Sequence, residues 1–319
     1  MARADERRGL RWMAPLLGVL LLLLAIRVPA DDVIGPLSAV GSDTLAGPML
    51  RWGERLAERH PGVRLQLQAS GSASAPAALT AGTARLGAMS RPMSDHERKA
   101  FIARHGYPPV ELKVARDALV VIVHRHNPLE SLGRRELDAI FSESRRCGAD
   151  EGIERWSQLG GMLPAGRIVL HGRNVASGTH DLFRRRALCG GGFRVHLNEH
   201  PGSAAVAAAV AAEPSSIGFV GLNHLTAGVR ALQLRDAQGR VVPPTPQAVR
   251  RGDYPLWRYL YLYVNLPPGS ALTGPEQAFL ELVLSPQGQA VVEELGFVTL
   301  TGERLMQQRD WLASLPMAE

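Results

Sequence analysis

Two residue types are nearly missing from this chain of 319 residues. Lysine occurs only at Lys99 and Lys113, so the 36 basic residues are almost all arginine, and cysteine occurs only at Cys147 and Cys189. Lys99 follows Arg98 and Lys113 follows Leu112, so neither can end a Gly-Lys-Ser/Thr nucleotide loop, and no Ser-x-x-Lys catalytic pair is formed. There is no Gly-x-Ser-x-Gly elbow either, and nothing arranges the Ser, His and Asp residues as a nucleophilic triad, so no enzyme is expected. Two isolated cysteines are too few for a thiolate metal cluster; in an oxidising compartment they read first as one disulfide, Cys147 to Cys189. His124-x-His126 and His196-x3-His200 lack carboxylate or cysteine ligands at regular spacing, so neither a metal site nor a cofactor is expected. A nucleic-acid partner would require a basic stripe or a recognised binding module, and neither is present.

What is present begins with a leader. Arg3, Arg7, Arg8 and Arg11 precede an apolar run from Trp12 to Ile26, and Val28-Pro29-Ala30 closes it with small residues before Asp31. At about 15 residues the run is short of the roughly 20 that a spanning helix needs. The pattern is that of a secretory signal peptide over residues 1–30, cleaved after Ala30, and it predicts a periplasmic protein. A retained single-span anchor is the alternative. Removing the leader takes away five arginines and two acids, so the net charge falls from +6 to +3. Mild positive charge suits a small anionic ligand.

The remainder is long enough for two domains, with 45% apolar and 21% charged residues. Aromatics are scarce at 5%, while 33 glycines and 22 prolines predict many turns between short elements. Strand-like and helix-like segments alternate, the pattern of an α/β fold. Leu45, Met49, Trp52 and Leu56 mark one face of a helix that stops near His60-Pro61-Gly62. Ala118 to His124 and Ile168 to His171 read as strands buried on both faces, as does Tyr259 to Val264. Helices at Glu276 to Leu284 and Gln287 to Leu295 are expected to close the chain, and Pro243-Pro244-Thr245-Pro246 reads as a loop or linker.

One device appears three times: a strand, a loop rich in Ser, Thr and Gly, then a helix. The loops are Gly41 to Thr44, Ser70 to Ser74, and Ser177 to Thr179 with Arg173 just upstream. Helix N-termini offer unpaired N–H groups and a positive dipole end, and loop hydroxyls add donors. A single loop of this kind is an ordinary cap. Three at strand ends, one with an arginine whose planar fork takes two oxygens of an oxyanion, point to a convergent anion site. Asp43, between Ser42 and Thr44, is either a plain helix cap or an acceptor for the proton that monohydrogen phosphate carries and sulfate lacks.

At these residues the chain resembles the periplasmic phosphate-binding proteins of the PstS type, over roughly Pro36 to Leu312. Gly172-Arg173-Asn174-Val175-Ala176-Ser177-Gly178-Thr179 matches the family's Arg-x-x-x-Ser-Gly-Thr loop, Gly41-Ser42-Asp43-Thr44 its first loop and Gly71-Ser72 its second. The resemblance implies Ser42, Thr44, Ser72, Arg173, Ser177, Gly178 and Thr179 as contacts to inorganic phosphate. Two places depart from the family. Where well-studied members carry an aspartate after the third strand, this chain has Met89-Ser90-Arg91, and Val175 replaces a frequent acidic residue. Asp43 is then expected to supply the acceptor, with Ser90 or Arg91 adding a donor.

The resemblance further implies a two-lobed α/β fold with the ligand in the interlobe cleft. Lobe I is expected over residues 31–118 plus 263–319 and lobe II over residues 119–262. A monomer that closes by a hinge and docks on ABC transporter permease subunits is implied as well. Sulfate or another tetrahedral oxyanion, or an exported sensing or adhesion role on the same fold, remain the alternatives.

Overall fold

The computed structural model describes residues 33–160 and 166–316; the leader and its cleavage point at Ala30 lie outside the described residues. Three parallel strands open the fold: β1 (Gly35–Gly41), β2 (Val63–Gln68) and β3 (Leu86–Met89), with β1 between the other two. The helices α1 (Ala46–Arg59) and α2 (Ser74–Ala81) connect them, and α3 (Asp95–His105) follows. Met49, Trp52 and Leu56 form the buried face of α1. The Trp52 ring lies edge-on to Phe279, 6.3 Å between centroids, and its Nε1–H donates to the Gly288 carbonyl at 2.8 Å.

The organising element is β4 (Val110–His124), a strand of 15 residues. After it come β5 (Ser131–Gly133), α4 (Arg134–Phe141), β6 (Val169–Arg173), α5 (Gly178–Arg186), β7 (Asn198–His200), α6 (Ser203–Ala212), β8 (Ser216–Gly221), β9 (Val229–Ala231), β10 (Gln233–Arg235) and β11 (Val241–Val242). The chain ends with α7 (Pro246–Arg251), β12 (Trp257–Val264), α8 (Gly274–Leu284), α9 (Pro286–Glu294) and α10 (Gly302–Ala313). The main sheet runs β2-β1-β3-β12-β4-β8-β6-β7, with β9 also on β4, and β11-β10-β5 make a small second sheet. Residues Val110 to Ala118 of β4 pair antiparallel with β12, whereas Leu119 to Val123 pair with β8. One strand thereby serves two half-sheets, and from Val114 to Val123 every residue is buried.

The cores divide in the same place. One gathers Leu37, Trp52, Leu86, Leu112, Ala115, Leu260, Leu262, Val264 and Phe279; another gathers Ala118 to Val123, Phe141, Phe183, Phe219, Tyr254 and Leu256; a smaller third, on the first half, gathers Leu79, Met89, Phe101 and Tyr263. The whole of β12, from Trp257 to Val264, pairs with the first half, on β3 and the first part of β4. An apolar run carries no signal of which sheet it joins, so this pairing was not readable from periodicity.

Several elements were also not readable. β4 starts at Val110 rather than Ala118, since Glu111, Lys113, Arg116 and Asp117 interrupt its first half. α3 and α10 bury little more than Phe101 and Leu312 respectively, leaving almost no apolar stripe to detect. Pro243 to Thr245 form a loop as expected, but Pro246 is already the first residue of α7, capped by the Thr245 hydroxyl accepting from Ala248 N.

Cys147 and Cys189 are joined by a disulfide that closes 42 residues of the second half. Loop-closure entropy for that length sets its stabilisation at about 4 kcal/mol as an upper figure. The double variant C147S/C189S is expected to lower the urea midpoint of unfolding accordingly; an unchanged midpoint would show that the unfolded chain gains little freedom when the bond is absent.

Candidate anion-binding site

Each loop of the site is shaped by local backbone demands. β1 ends at Gly41 with φ +145°, where a Cβ would stand 1.9 Å from the Ala88 carbonyl oxygen, so only glycine lets the chain turn there. Ser42 N then donates to that same oxygen at 2.8 Å, and the Ser42 hydroxyl caps the short turn Asp43–Leu45 by accepting from Thr44 N. Ser177 caps α5 by accepting from Thr179 N and His180 N at 3.1 and 3.4 Å. That helix begins where Arg173, the last residue of β6, has brought the chain to the sheet's end.

The loops meet across the two halves. Ser72 Oγ accepts from Ser90 N at 3.0 Å and lies 3.2 Å from Ser90 Oγ. A Cβ on Gly178 would be 2.5 Å from both serine oxygens, so the start of α5 presses directly on them and only a glycine fits. Ala73 N donates to the Ala176 carbonyl at 3.1 Å, tying the second loop to the loop before α5. Ser42, Thr44, Ser72, Ser90, Ser177 and Thr179 are all at most 3% exposed. Of the second loop only Ser72 joins this buried set; Ser70 is exposed and donates to Ser74 Oγ at 3.2 Å.

Arg173 is buried as deeply, 1% exposed. Its Nη1 donates to Ser203 Oγ at 3.0 Å, and its Nη2 donates to the Pro201 carbonyl at 2.7 Å and to Asp43 Oδ1 at 2.8 Å. Its Nε has no hydrogen-bond partner among the described residues. A buried guanidinium needs negative charge and filled acceptors around it. Here the one carboxylate, Asp43, reaches across from the other half. Asp43 is therefore not the cap of its turn, a task Ser42 performs, but the ionic partner of Arg173.

Arg91 does not join the cluster. Its guanidinium makes a two-pronged pair with Glu97 at 2.6 and 2.7 Å, donates to the Pro92 carbonyl, and approaches Asp181 of α5 at 3.3 Å. Through these contacts it braces α5 against the β3–α3 connection. Its pairing with Glu97 follows from the capping box Ser94-x-x-Glu97 that starts α3.

In its place the structure supplies a pair that the sequence reading missed, Arg258 and Asp117. They face each other in register across β12 and β4, and both are almost completely buried. Arg258 donates twice to Asp117 Oδ2, at 2.8 and 2.6 Å, and also to the Ser90 carbonyl and Thr179 Oγ1 at 3.2 and 3.0 Å, with Thr44 Oγ1 at 3.5 Å. The available signal was a single charge at the head of each otherwise apolar run, Asp117 before Ala118 and Arg258 before Tyr259.

The histidines around the cleft are held neutral. His180, in the first turn of α5 and stacked near Phe193, has its pKa pulled down to about 4, first by burial and then by Arg184 and Arg173, against the pull of Asp181. Burial also lowers His224, with Asp117 and Asp43 opposing, and His200, beside Arg173. His171 is lowered by burial and by His200, to which it is hydrogen-bonded at 3.0 Å. Among the described residues no group of three or more His, Cys, Asp or Glu is placed to hold a metal ion.

Comparison with known proteins agrees with this geometry. A model of the PBP superfamily domain matches residues 28–287. The phosphate-binding protein PstS of Pseudomonas aeruginosa is 44% identical over 274 residues, 85% of each chain. This chain belongs to the PstS family. PstS of Staphylococcus aureus is a more distant member at 23% identity, over 88% of this chain and 83% of its own length. The fold is also that of an ABC-type phosphate transport receptor from Vibrio cholerae, with a TM-score of 0.66 at 20% identity over 82% of this chain and 99% of that one. The two-lobed α/β architecture expected from the sequence is the family's architecture.

In this PstS-family chain the four depressed histidines all act on stability in one direction. Between pH of roughly 6.5 and the lower folded values, the unfolded chain binds protons that the folded one refuses. Stability is full above the unfolded value and declines as pH falls through the window down to about 4 set by His180. Thermal midpoints measured across that window should fall with acidification, and His180→Gln should flatten part of the slope. A variant as acid-sensitive as the parent would remove His180 from the account.

Proposed function

We propose that this chain captures inorganic phosphate between its lobes by a hydrogen-bond cage and delivers it to an ABC importer. The observation that carries the proposal is the buried guanidinium of Arg173, which ends a buried strand, donates to Ser203 Oγ and is balanced from the other half by the carboxylate of Asp43. The cage comprises Ser42, Thr44, Ser72, Ser90, Arg173, Ser177, Gly178 and Thr179, with Asp43 as the acceptor. Donors outnumber acceptors, which fits a ligand that is nearly all acceptor. Asp43 accepts the proton of monohydrogen phosphate, whereas sulfate has no proton to offer and meets a repelling carboxylate. The relatives support the same ligand: those from Pseudomonas aeruginosa and Staphylococcus aureus are phosphate-binding proteins, and the Vibrio cholerae structure is a phosphate transport receptor.

In this reading lobe I comprises residues 33–118 with 257–316 and lobe II residues 119–256, and the lobes close by bending at the two crossings. The protein works as an exported, periplasmic monomer whose closed form is recognised by permease subunits, and it catalyses no reaction. The family is one of substrate-binding transport proteins, which supports that last point.

Calorimetric titration with phosphate and with sulfate tests the proposal, after the protein has been unfolded and refolded to strip bound anion. One-to-one binding of phosphate with no response to sulfate is expected. Charge-assisted hydrogen bonds contribute about 1.5–3 kcal/mol each, so Arg173→Ala should weaken phosphate binding at least about 100-fold while leaving a folded protein. Asp43→Asn should narrow the gap between phosphate and sulfate. Equal binding of both anions by the parent would shift the proposal to a general oxyanion receptor, and silence to both would remove it.

A further inference from the structure

We infer that Arg258, held by Asp117, is a positioning residue that makes the threonine hydroxyls of both lobes donate to the anion and so joins lobe closure to ligand binding. The inference rests on the phosphate reading and adds a specificity-determining pair to it. It starts from the placement of the guanidinium. Arg258 is on β12, next to the return crossing, and its acceptors belong to both halves: the Ser90 carbonyl and Thr44 on one side, Thr179 at the start of α5 on the other. Asp117 is its register partner on β4, two residues before the residues of that strand that pair with β8. The pair therefore sits where the two half-sheets join.

The chemistry follows from what each group can do. A guanidinium has only donors, and a threonine hydroxyl has one hydrogen and two lone pairs. When Thr179 Oγ1 accepts from Arg258, its own hydrogen must point away from the positive charge and is left to donate elsewhere. The same holds more weakly for Thr44 at 3.5 Å. Without Arg258 either hydroxyl could turn and accept, and the cage would no longer present a uniform set of donors. Both N–H groups directed at Asp117 end on a single oxygen, Oδ2, which fixes the plane of the fork; Oδ1 has no protein partner. Asp117 thus holds the guanidinium at an angle that leaves Nη1 for Ser90 and Thr179.

Lysine cannot substitute, because a point charge opposite Asp117 would satisfy the carboxylate without spanning the acceptors on both lobes. This separates a positioning role from one that only balances charge in the core. A lysine variant keeps the buried ion pair, and with it the fold, but loses the geometry.

The test is a double-mutant cycle on phosphate affinity with Arg258→Lys, Thr179→Val and the two combined, each checked for its thermal midpoint without ligand. If Arg258 acts through the Thr179 hydroxyl, each single change weakens binding on the order of 30- to 100-fold, and the combined variant is less than about tenfold worse than the poorer single one. Losses that multiply would show independent structural effects and overturn the inference, as would parental affinity in Arg258→Lys. Should Arg258→Lys not fold, the neutral pair Arg258→Gln with Asp117→Asn replaces it in the cycle with the same criteria. Silence of the parent protein toward phosphate would overturn both this inference and the phosphate reading, whereas a binding parent with an additive cycle would overturn this inference alone.

Discussion

Everything in the molecule hangs on one strand that is shared. β4 pairs with β12 along its first half and with β8 along its second, and the two larger hydrophobic cores pack against it. Burying a strand on both faces over so many residues requires β-branched or small apolar side chains, which Ala118 to Val123 supply. The two halves are thus one continuous sheet. At Ala118–Leu119 the strand passes from its β12 pairing to its β8 pairing, and Trp257 opens the pairing of β12 with β4. Loops at the strand ends of both halves open onto the same space, which is why hydroxyls far apart in sequence stand next to each other.

The electrostatics of that space obey a simple constraint. Two arginines are buried almost completely, and each has one carboxylate partner, Asp43 for Arg173 and Asp117 for Arg258. The partners differ in burial: the Asp43 side chain is 21% exposed and that of Asp117 is not exposed at all. A fully buried pair cannot separate without leaving a bare charge in the interior, so Arg258–Asp117 is permanent framework. The Arg173–Asp43 pair reaches solvent through Asp43 and bridges the two halves. Both cations are almost equally buried, and the exposure of the carboxylate partner tells the two pairs apart.

Much of this was legible in the residues. The motif Arg173-x-x-x-Ser177-Gly178-Thr179 and the loops at Ser42 and Ser72 stand out together, because one such loop is an ordinary cap but three at strand ends, one with an arginine, converge on an anion. The family followed from them. What was not legible shares one physical cause. Arg258 and Asp117 lie at the ends of apolar runs, where a charge reads as the limit of the strand and not as its partnered interior. Arg91 stood next to Ser90 and was expected to serve the anion. The carboxylates that claim it, Glu97 and Asp181, come from a capping box and from the opposite half, and pairing across space leaves no trace in local order. The helices α3 and α10 are polar on nearly all sides, so the only sign of α3 was the Ser94-x-x-Glu97 box and α10 had none.

The disulfide between Cys147 and Cys189 has a consequence for the cleft despite lying away from it. Cys189 is just beyond the C-terminal end of α5, while Ser177, Gly178 and Thr179 are at its N-terminal end. The helix is a rigid lever anchored covalently at one tip and presenting donors at the other. The ordering entropy of those donors is therefore spent when the chain folds, not when a ligand arrives. A thiol–disulfide exchange at Cys147–Cys189 would reach the cleft as a change in the preorganisation of its amides, with no side chain in the cleft altered.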